Sequence, residues 1–514
     1  MDILLLNSSF HTRRRDKLET ITPHLRIGVA SIAGHLRQLG AEVAILDPQV
    51  RRLSAEAAVS RIVSASPRYL CLPAYTEEVK DAARIAEMVK SEAPYITTVV
   101  GGYHVSALPI ETLGEFDSFD IGVVGEGERP LGDLVRGQAL ASIPGIVYRA
   151  GTGDPVFNDT RRDPIDLDRL AYPAWDLYDL GKYERFLPIE PLRSCPFDCV
   201  FCFRAVGRKV IYKRPERFVE ELEHYVDRLG VSSFTFLAGT FPVKRGHGVE
   251  ILERISARGL NISWKGHTRV DVVDDEVLRL MKKTGCVELD IGIESGDLEI
   301  LRHSAKGITP QKSVETVRLC KKVGIKTVVN FIIGLPFETR SSILSTFRLA
   351  LKVRRYVERA GFAILVPFPG TRAYDMALRN EGGIGLKTTD WSDFGKQTGF
   401  ALRHAHFREG ALQRYQSLLY IFYYLGAPLK TFRQRELFLP RAWRVVNRLV
   451  WSHRFRFPHR LVPYVPDVRA LRPNQFAAAL AGTYQRAARS LGGLKRWALG
   501  GERREAAAIP QSLH

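Results

Sequence analysis

Cysteine is scarce in this chain, with six in 514 residues. So few thiols in so long a chain exclude the disulfide framework that staples small secreted domains. Long apolar runs are missing too: the longest, residues 417–429, falls well short of the roughly 20 residues that cross a bilayer. The opening Asp2-Ile3-Leu4-Leu5-Leu6-Asn7 is too short for a secretory h-region and no cleavage site follows it, so the cytoplasm is the expected compartment. Acidic residues run short in one place only. Residues 401–514 hold 20 Lys and Arg against 5 Asp and Glu, which is most of the net charge of +19, and the preceding 400 residues are nearly balanced. The charge therefore describes the tail and says little about the rest.

Against that scarcity, three of the six cysteines fall within eight residues, Cys195-Pro196-Phe197-Asp198-Cys199-Val200-Phe201-Cys202. A structural zinc site would need a fourth Cys or His at ligand spacing, and the next histidine, His224, lies 22 residues beyond Cys202. Three thiolates can hold three corners of a 4Fe-4S cube and leave the fourth iron open, whereas an electron-carrying cluster takes four protein ligands. An open iron is a site for chemistry. Cys71, Cys286 and Cys320 sit in apolar surroundings and read as unreactive core thiols.

From residue 2 to about 140, short apolar runs alternate with helical stretches, the pattern of a parallel sheet covered on both faces. Strands are expected at 3–7, 43–46, 69–72, 97–100 and 120–124, with helices including 27–39 and 78–92. Ligands of such sheets sit where strands end. The fourth strand ends in Gly101-Gly102-Tyr103-His104 and the fifth in Gly125-Glu126-Gly127-Glu128, and paired glycines admit positive φ and close approach to a bulky ligand. Neither turn is the dinucleotide fingerprint G-x-G-x-x-G. Residues 141–185, rich in Gly, Asp and Pro, read as a linker with one short β-like piece at 146–148.

From 186 to 395 six strand-helix units are expected, with strands at 187–192, 233–237, 262–265, 287–293, 327–333 and 362–366. Six parallel βα units make a partial barrel open on one side, with functional groups at the carboxyl ends of the strands. The cysteine octet follows the first strand. Later strand ends carry Arg269, then Gly292-Ile293-Glu294-Ser295-Gly296 with Lys306 beyond it, and then Asn330-Phe331-Ile332-Ile333-Gly334-Leu335-Pro336. The ordinary reading of each is a turn glycine or a solvated charge. Residues 396–514 read as basic and mainly helical.

The octet, with an aromatic residue before its third cysteine, resembles the signature of the radical S-adenosylmethionine (SAM) enzymes. The two glycine turns, in this order before it, look like the cobalamin-binding domain that many of those enzymes carry, and Tyr172-Pro173-Ala174-Trp175-Asp176-Leu177 is similar to the segment that leads into their barrel. The resemblance implies an α/β protein: a doubly wound, Rossmann-like cobalamin domain at 1–140, a partial (β/α)6 barrel, and a helical C-terminal region. It implies a 4Fe-4S cluster on Cys195, Cys199 and Cys202, with SAM chelating the open iron. Gly101, Gly102, His104, Gly125, Glu126 and Gly127 would meet cobalamin. Arg269, Glu294, Gly334 and Pro336 would meet SAM, Glu294 through the ribose hydroxyls or the ammonium and Arg269 through the methionine carboxylate. The loop D-x-H-x-x-G that supplies a histidine to cobalt is absent after the first strand, where Asn7-Ser8-Ser9-Phe10-His11 stands, so His104 is expected to form hydrogen bonds rather than to bind metal. A further departure is Leu237-Ala238-Gly239-Thr240-Phe241, where relatives often have an Asp pair.

The activity implied is methylation of an unactivated carbon in a small-molecule or lipid-like substrate through a 5'-deoxyadenosyl radical, with flavodoxin or ferredoxin as electron donor. Cyclisation or rearrangement with the same cofactors is the alternative, and a cobalamin sensor without catalysis is a third reading. A second cysteine cluster, which methylthiotransfer would call for, is absent from the first 140 residues. For the tail three readings stand: a helical cap over the barrel, a surface helix on anionic lipid, and, with no recognised fold behind it, nucleic-acid binding.

Overall fold

The computed structural model describes residues 1–7, 24–151, 153–159, 164–395 and 399–425. The readings made for His11 and for the basic tail past residue 425 lie outside these residues. Residues 1–416 form one compact unit, and the described chain ends with helix Ala411–Leu425.

Two parallel sheets organise the first unit. In the first, β1 (Ile3–Leu6), β2 (Val43–Leu46), β3 (Tyr69–Pro73), β4 (Thr97–Gly101) and β5 (Ile121–Val123) run parallel, followed by antiparallel β6 (Ile146–Arg149) and β7 (Pro155–Phe157), in the order β2-β1-β3-β4-β5-β6-β7. Period-2 alternation sends Leu4, Leu6, Leu70 and Leu72 to one face against helices Ala55–Ala65 and Val79–Glu92, and Ile3, Leu5 and Cys71 to the other against helix Ile27–Gln38. The segment expected as a linker thus gives two strands to this sheet. Its other half is pinned as well: Tyr178 donates to Asn7 Oδ1 at 2.9 Å and Tyr183 to Asp47 Oδ2 at 2.8 Å.

The second sheet contains β8 (Leu187–Ile189); β9 (Leu192–Arg193) then pairs with β10 (Ile211–Tyr212) outside it. The remaining strands are β11 (Ser233–Phe236), β12 (Ser263–Thr268), β13 (Cys286–Glu294), β14 (Lys326–Ile333) and β15 (Arg359–Ile364), all parallel in the order β15-β14-β13-β12-β11-β8. Its outward side chains are buried under helices: Phe236 lies edge-on to Phe218 and stacks on Trp264 at 4.3 Å. The inward ones, among them Lys265, His267, Asp290 and Asn330, stay partly open in the lumen. Helix starts follow capping chemistry, with Asp274, Thr309 and Thr339 each accepting a backbone N–H two or three residues into its helix.

After β15 the chain does not end with the barrel. Val366, Trp391, Phe394 and Ala401 join the core beneath the first sheet, and Trp391 Nε1 donates to Glu115 Oε2 at 2.7 Å. A short hairpin, β16 (Ile384–Leu386) with β17 (Leu402–His404), closes this return. Cys71, Cys286 and Cys320 are buried free thiols; burial raises all three, Cys320 to about 12.

Candidate active site

The octet forms a loop after β9, held from several directions. Val200 N–H donates to Ser304 O at 3.1 Å, Ala373 N–H donates to Val200 O at 2.9 Å, and Cys202 N–H returns to Cys199 O at 3.1 Å. Cys195 lies against the end of β11, 3.8 Å from Thr240 Oγ1. A Cβ on Gly239 would stand 2.9 Å from Cys195 Cβ, so this position needs glycine and no Asp pair fits there. The departure noted in the sequence is therefore a packing feature, with a hydroxyl in place of a carboxylate.

The three thiols share one electrostatic neighbourhood. Burial raises Cys199 and Cys202, and each is raised further by Cys195; Lys306 and Arg269 oppose this at Cys199 and favour its thiolate. Among the described residues no group of three or more His, Cys, Asp and Glu is close enough to hold one metal ion. Ligands of a cubane each bind a different iron and stand farther apart than those of a single ion. Ser304, whose carbonyl holds Val200 of the loop, has its own Oγ buried without a partner, the condition of a site that accepts a further group.

Arg269 is used by the protein itself. Its fork meets both oxygens of Asp271 at 2.9 and 2.7 Å, one nitrogen donates to Lys306 O at 2.5 Å, another lies 3.8 Å from Cys199 Sγ, and the guanidinium covers the Phe197 ring at 3.7 Å. The arrangement braces the cysteine loop. Glu294 ends β13 at φ +65° and pairs with Lys306 at 2.9 Å, both nearly enclosed. Gly334, at φ +82°, opens the turn after β14; its N–H and that of Leu335 donate to Glu338, which is fully buried. Burial raises that carboxyl to about 8 in spite of the two donors. Pro336 lies against Gly382 in the same turn. Sequence reasoning missed Glu338, although its place four residues after a strand-end glycine is a usable signal.

In the first sheet, Gly102 has φ +103° and a Cβ there would meet Ala74 O at 2.8 Å, whereas one on Gly101 would meet nothing. The loop is thus bare backbone with open space above it. His104 is turned inward, 1% exposed, 3.4 Å from Thr76 Oγ1 and edge-on to Trp391, and burial lowers it to about 4. Tyr75 and Tyr103 stack at 5.3 Å beside the loop, and Tyr103 is 47% exposed. This pairing of bare loop and aromatic shelf suits a large flat ring. Gly125 also has positive φ, with Ala205 O 3.4 Å from where its Cβ would be, and Gly127 is kept small by Ile32. Glu126 does not face this space freely: it pairs with Arg193 at 3.0 Å and accepts from Ile165 N–H.

The two loops meet. The Tyr103 ring is 6.0 Å from that of Phe203, the residue after Cys202.

Comparison with known proteins agrees with this geometry. Residues 20–135 match the B12 binding domain and residues 189–350 the radical SAM superfamily. The chain is 31% identical over 466 residues to an uncharacterized methyltransferase of Pyrococcus horikoshii, covering 88% of this chain and 99% of the relative. It is 28% identical to an anaerobic magnesium-protoporphyrin IX monomethyl ester cyclase of Rubrivivax gelatinosus, covering 72% and 68%. Among solved structures, the cobalamin-dependent S-adenosylmethionine radical enzyme OxsB, with aqua-cobalamin and S-adenosylmethionine bound, superposes with a TM-score of 0.68 at 17% identity, covering 95% of this chain and 75% of that one.

Proposed function

The chain belongs to the radical SAM enzymes that carry a B12-binding domain, and from that premise we propose that it is a C-methyltransferase acting on a small molecule, with Cys195, Cys199 and Cys202 holding a 4Fe-4S cluster and the Gly101-Gly102 and Gly125 turns holding cobalamin. The observation that carries the reading is the contact of Tyr103 with Phe203, which sets the two loops face to face. A cluster held by Cys195, Cys199 and Cys202 would supply the electron that splits SAM into methionine and a 5'-deoxyadenosyl radical able to take hydrogen from a substrate carbon, and cobalamin held by the glycine turns would supply the methyl group.

The chain's own residues orient and enclose. Arg269 and Lys306 keep positive charge beside Cys199 and so favour the thiolate that binds iron. Glu294, paired with Lys306, is a ready acceptor for hydroxyl or ammonium donors of SAM. Gly334 and Pro336 offer a flat backbone edge to the adenine. Gly102 lets the cofactor approach the backbone where a side chain would not fit. Burial keeps His104 neutral, and it acts from beneath the loop as a hydrogen-bonding support. Below the site, the lumen carries Lys265, His267, Asp290 and Asn330, with Asn330 donating to Asp290 at 2.5 Å, which supports a polar substrate group over a purely hydrocarbon one.

A flavodoxin or ferredoxin would provide the electron. Contact of the basic, aromatic tail with an anionic membrane surface is supported by composition alone. Among the described residues no helix is long and apolar enough to cross a membrane. Cyclisation is the second reading, favoured by the name of the Rubrivivax relative. Anaerobic reconstitution with iron, sulfide and cobalamin tests the proposal. Wild-type protein should form 5'-deoxyadenosine from SAM and Cys199→Ala should form none; equal amounts from both would overturn the radical SAM reading. Product mass then separates a gain of one methyl from none.

A further inference from the structure

Arg193 stands two residues before Cys195 and spends its whole guanidinium on side chains from both halves of the molecule. Nε meets Glu190 at 2.7 Å, Nη1 meets Glu126 at 3.0 Å, and Nη2 meets Glu128 at 2.7 Å and Ser31 Oγ at 3.1 Å. Ser31 also donates to Glu128 at 2.7 Å. Glu126 and Glu128 flank Gly127 in the fifth-strand turn of the first sheet, more than 60 residues away in the chain. The guanidinium is 11% exposed and Glu128 is 3% exposed, so the group is nearly dry. Between Arg193 and Cys195 lies Ser194 at φ +72°, a conformation a non-glycine residue holds only when its surroundings impose it. Its hydroxyl donates to Gly207 O across the loop.

A buried ion group of this kind is weak evidence for stability, because desolvation cancels much of the attraction, and fixing one arrangement is its better-attested use. A planar fork with donors in three directions fixes orientation as a point charge cannot. The carboxylates outnumber the guanidinium, which matches the upward shift that burial gives Glu126 and Glu190 while Arg193 and Ser31 hold Glu128 down against burial.

We propose that Arg193 is a positioning residue: it locks the start of the cysteine loop to the Glu126–Glu128 turn and thereby fixes the separation and orientation of cluster and cobalamin. The inference rests on the assignment of those two cofactors to this chain. Its consequence is kinetic, because a radical made on one side must meet a methyl group held on the other, and an ångström of slack between reacting partners costs on the order of a hundredfold in rate.

The test compares wild type, Arg193→Lys, Arg193→Gln and, as a control, Arg245→Gln, which breaks an exposed ion pair with Asp274 and Glu276. Each is purified anaerobically, reconstituted with iron, sulfide and hydroxocobalamin, and assayed for both cofactors. Hydrogen exchange of the unloaded protein gives the first readout. Arg193→Lys should raise exchange about tenfold in segments 125–128 and 194–207 and leave both sheets unchanged. Pulsed electron paramagnetic resonance gives the second: the enhancement of cob(II)alamin relaxation by the reduced cluster, a function of their separation, should fall at least about twofold in Arg193→Lys and not in Arg245→Gln. Should Arg193→Gln not fold, Arg193→Lys decides alone. Unchanged exchange and unchanged spin coupling in Arg193→Lys would overturn the proposal, and so would exchange raised evenly through both sheets, which assigns Arg193 to stability. Failure of wild type to take up either cofactor refutes the functional reading instead.

Discussion

Gly102 has no substitute that leaves its neighbours in place. With φ at +103° and Ala74 O 2.8 Å from any Cβ, Gly102→Ala carries backbone strain together with a clash against backbone. A loss of about 1–3 kcal/mol is expected, with release of cobalamin on gel filtration. Thermal melting and the cobalamin absorbance of the eluted protein check both parts, and a variant that melts and loads as wild type would refute the role. His104 gives a pH prediction. Burial lowers it from 6.5 to about 4, so the folded state binds the proton less well than the unfolded chain. Stability is therefore fully present above about 6.5 and declines as pH falls toward 4, by at most roughly 3 kcal/mol. Urea unfolding at a series of pH values should show this slope, and His104→Gln should flatten it; an unaltered slope sinks the idea. The cysteine octet was legible because its chemistry is local in sequence. Arg193 was not, because its partners lie on another sheet and a lone arginine before a cysteine carries no pattern. Nor does anything in the sequence say that Asp271 and Lys306 O take up the fork of Arg269.

At the scale of elements, strand alternation did most of the work. The five parallel strands of the first sheet and the six of the barrel are each announced by short apolar runs, and the structure shifts their ends by a few residues. The apolar run of the last barrel strand starts at Phe362, whereas the strand itself begins at Arg359. The reason is physical: charged and small residues at a strand's entry do not break pairing, yet they erase the apolar signal. Strand β7 was hidden by Pro155 and the Gly-Thr-Gly-Asp that precedes it, which read as loop; a proline is tolerated there because β7 is the last strand of its sheet. The outward ring stack of the barrel yields a prediction. Trp264 is fully buried between Phe236 and Phe241 and donates to Thr284 O at 3.0 Å. Trp264→Ala should cost about 3–5 kcal/mol, read as a drop in the urea midpoint, and a change below 1 kcal/mol would show that the stack does not hold the barrel wall.

At the scale of the whole molecule, the two halves are one object. The core under the first sheet is completed by Val366, Trp391, Phe394 and Ala401, all from beyond the last barrel strand. A boundary drawn along the sequence cannot express this, because composition changes smoothly where the chain crosses back. Residues 1–185 produced alone should therefore lack cooperative unfolding and bind apolar dyes, where the full chain does neither; a fragment that melts sharply would contradict the shared core. In the full chain Trp391→Ala should weaken cobalamin retention although it lies in neither glycine turn, since the ring supports His104 from below.

The late arrival of Trp391 and Phe394 has a consequence for biosynthesis. The amino-terminal half leaves the ribosome first, but its apolar interior stays unsealed until more than two hundred further residues have been translated. A stall or truncation anywhere within the barrel would thus release a chain with both halves compromised, and heterologous production should improve when elongation is slow enough, or chaperone supply rich enough, to shelter the half-finished sheet until its last side chains appear.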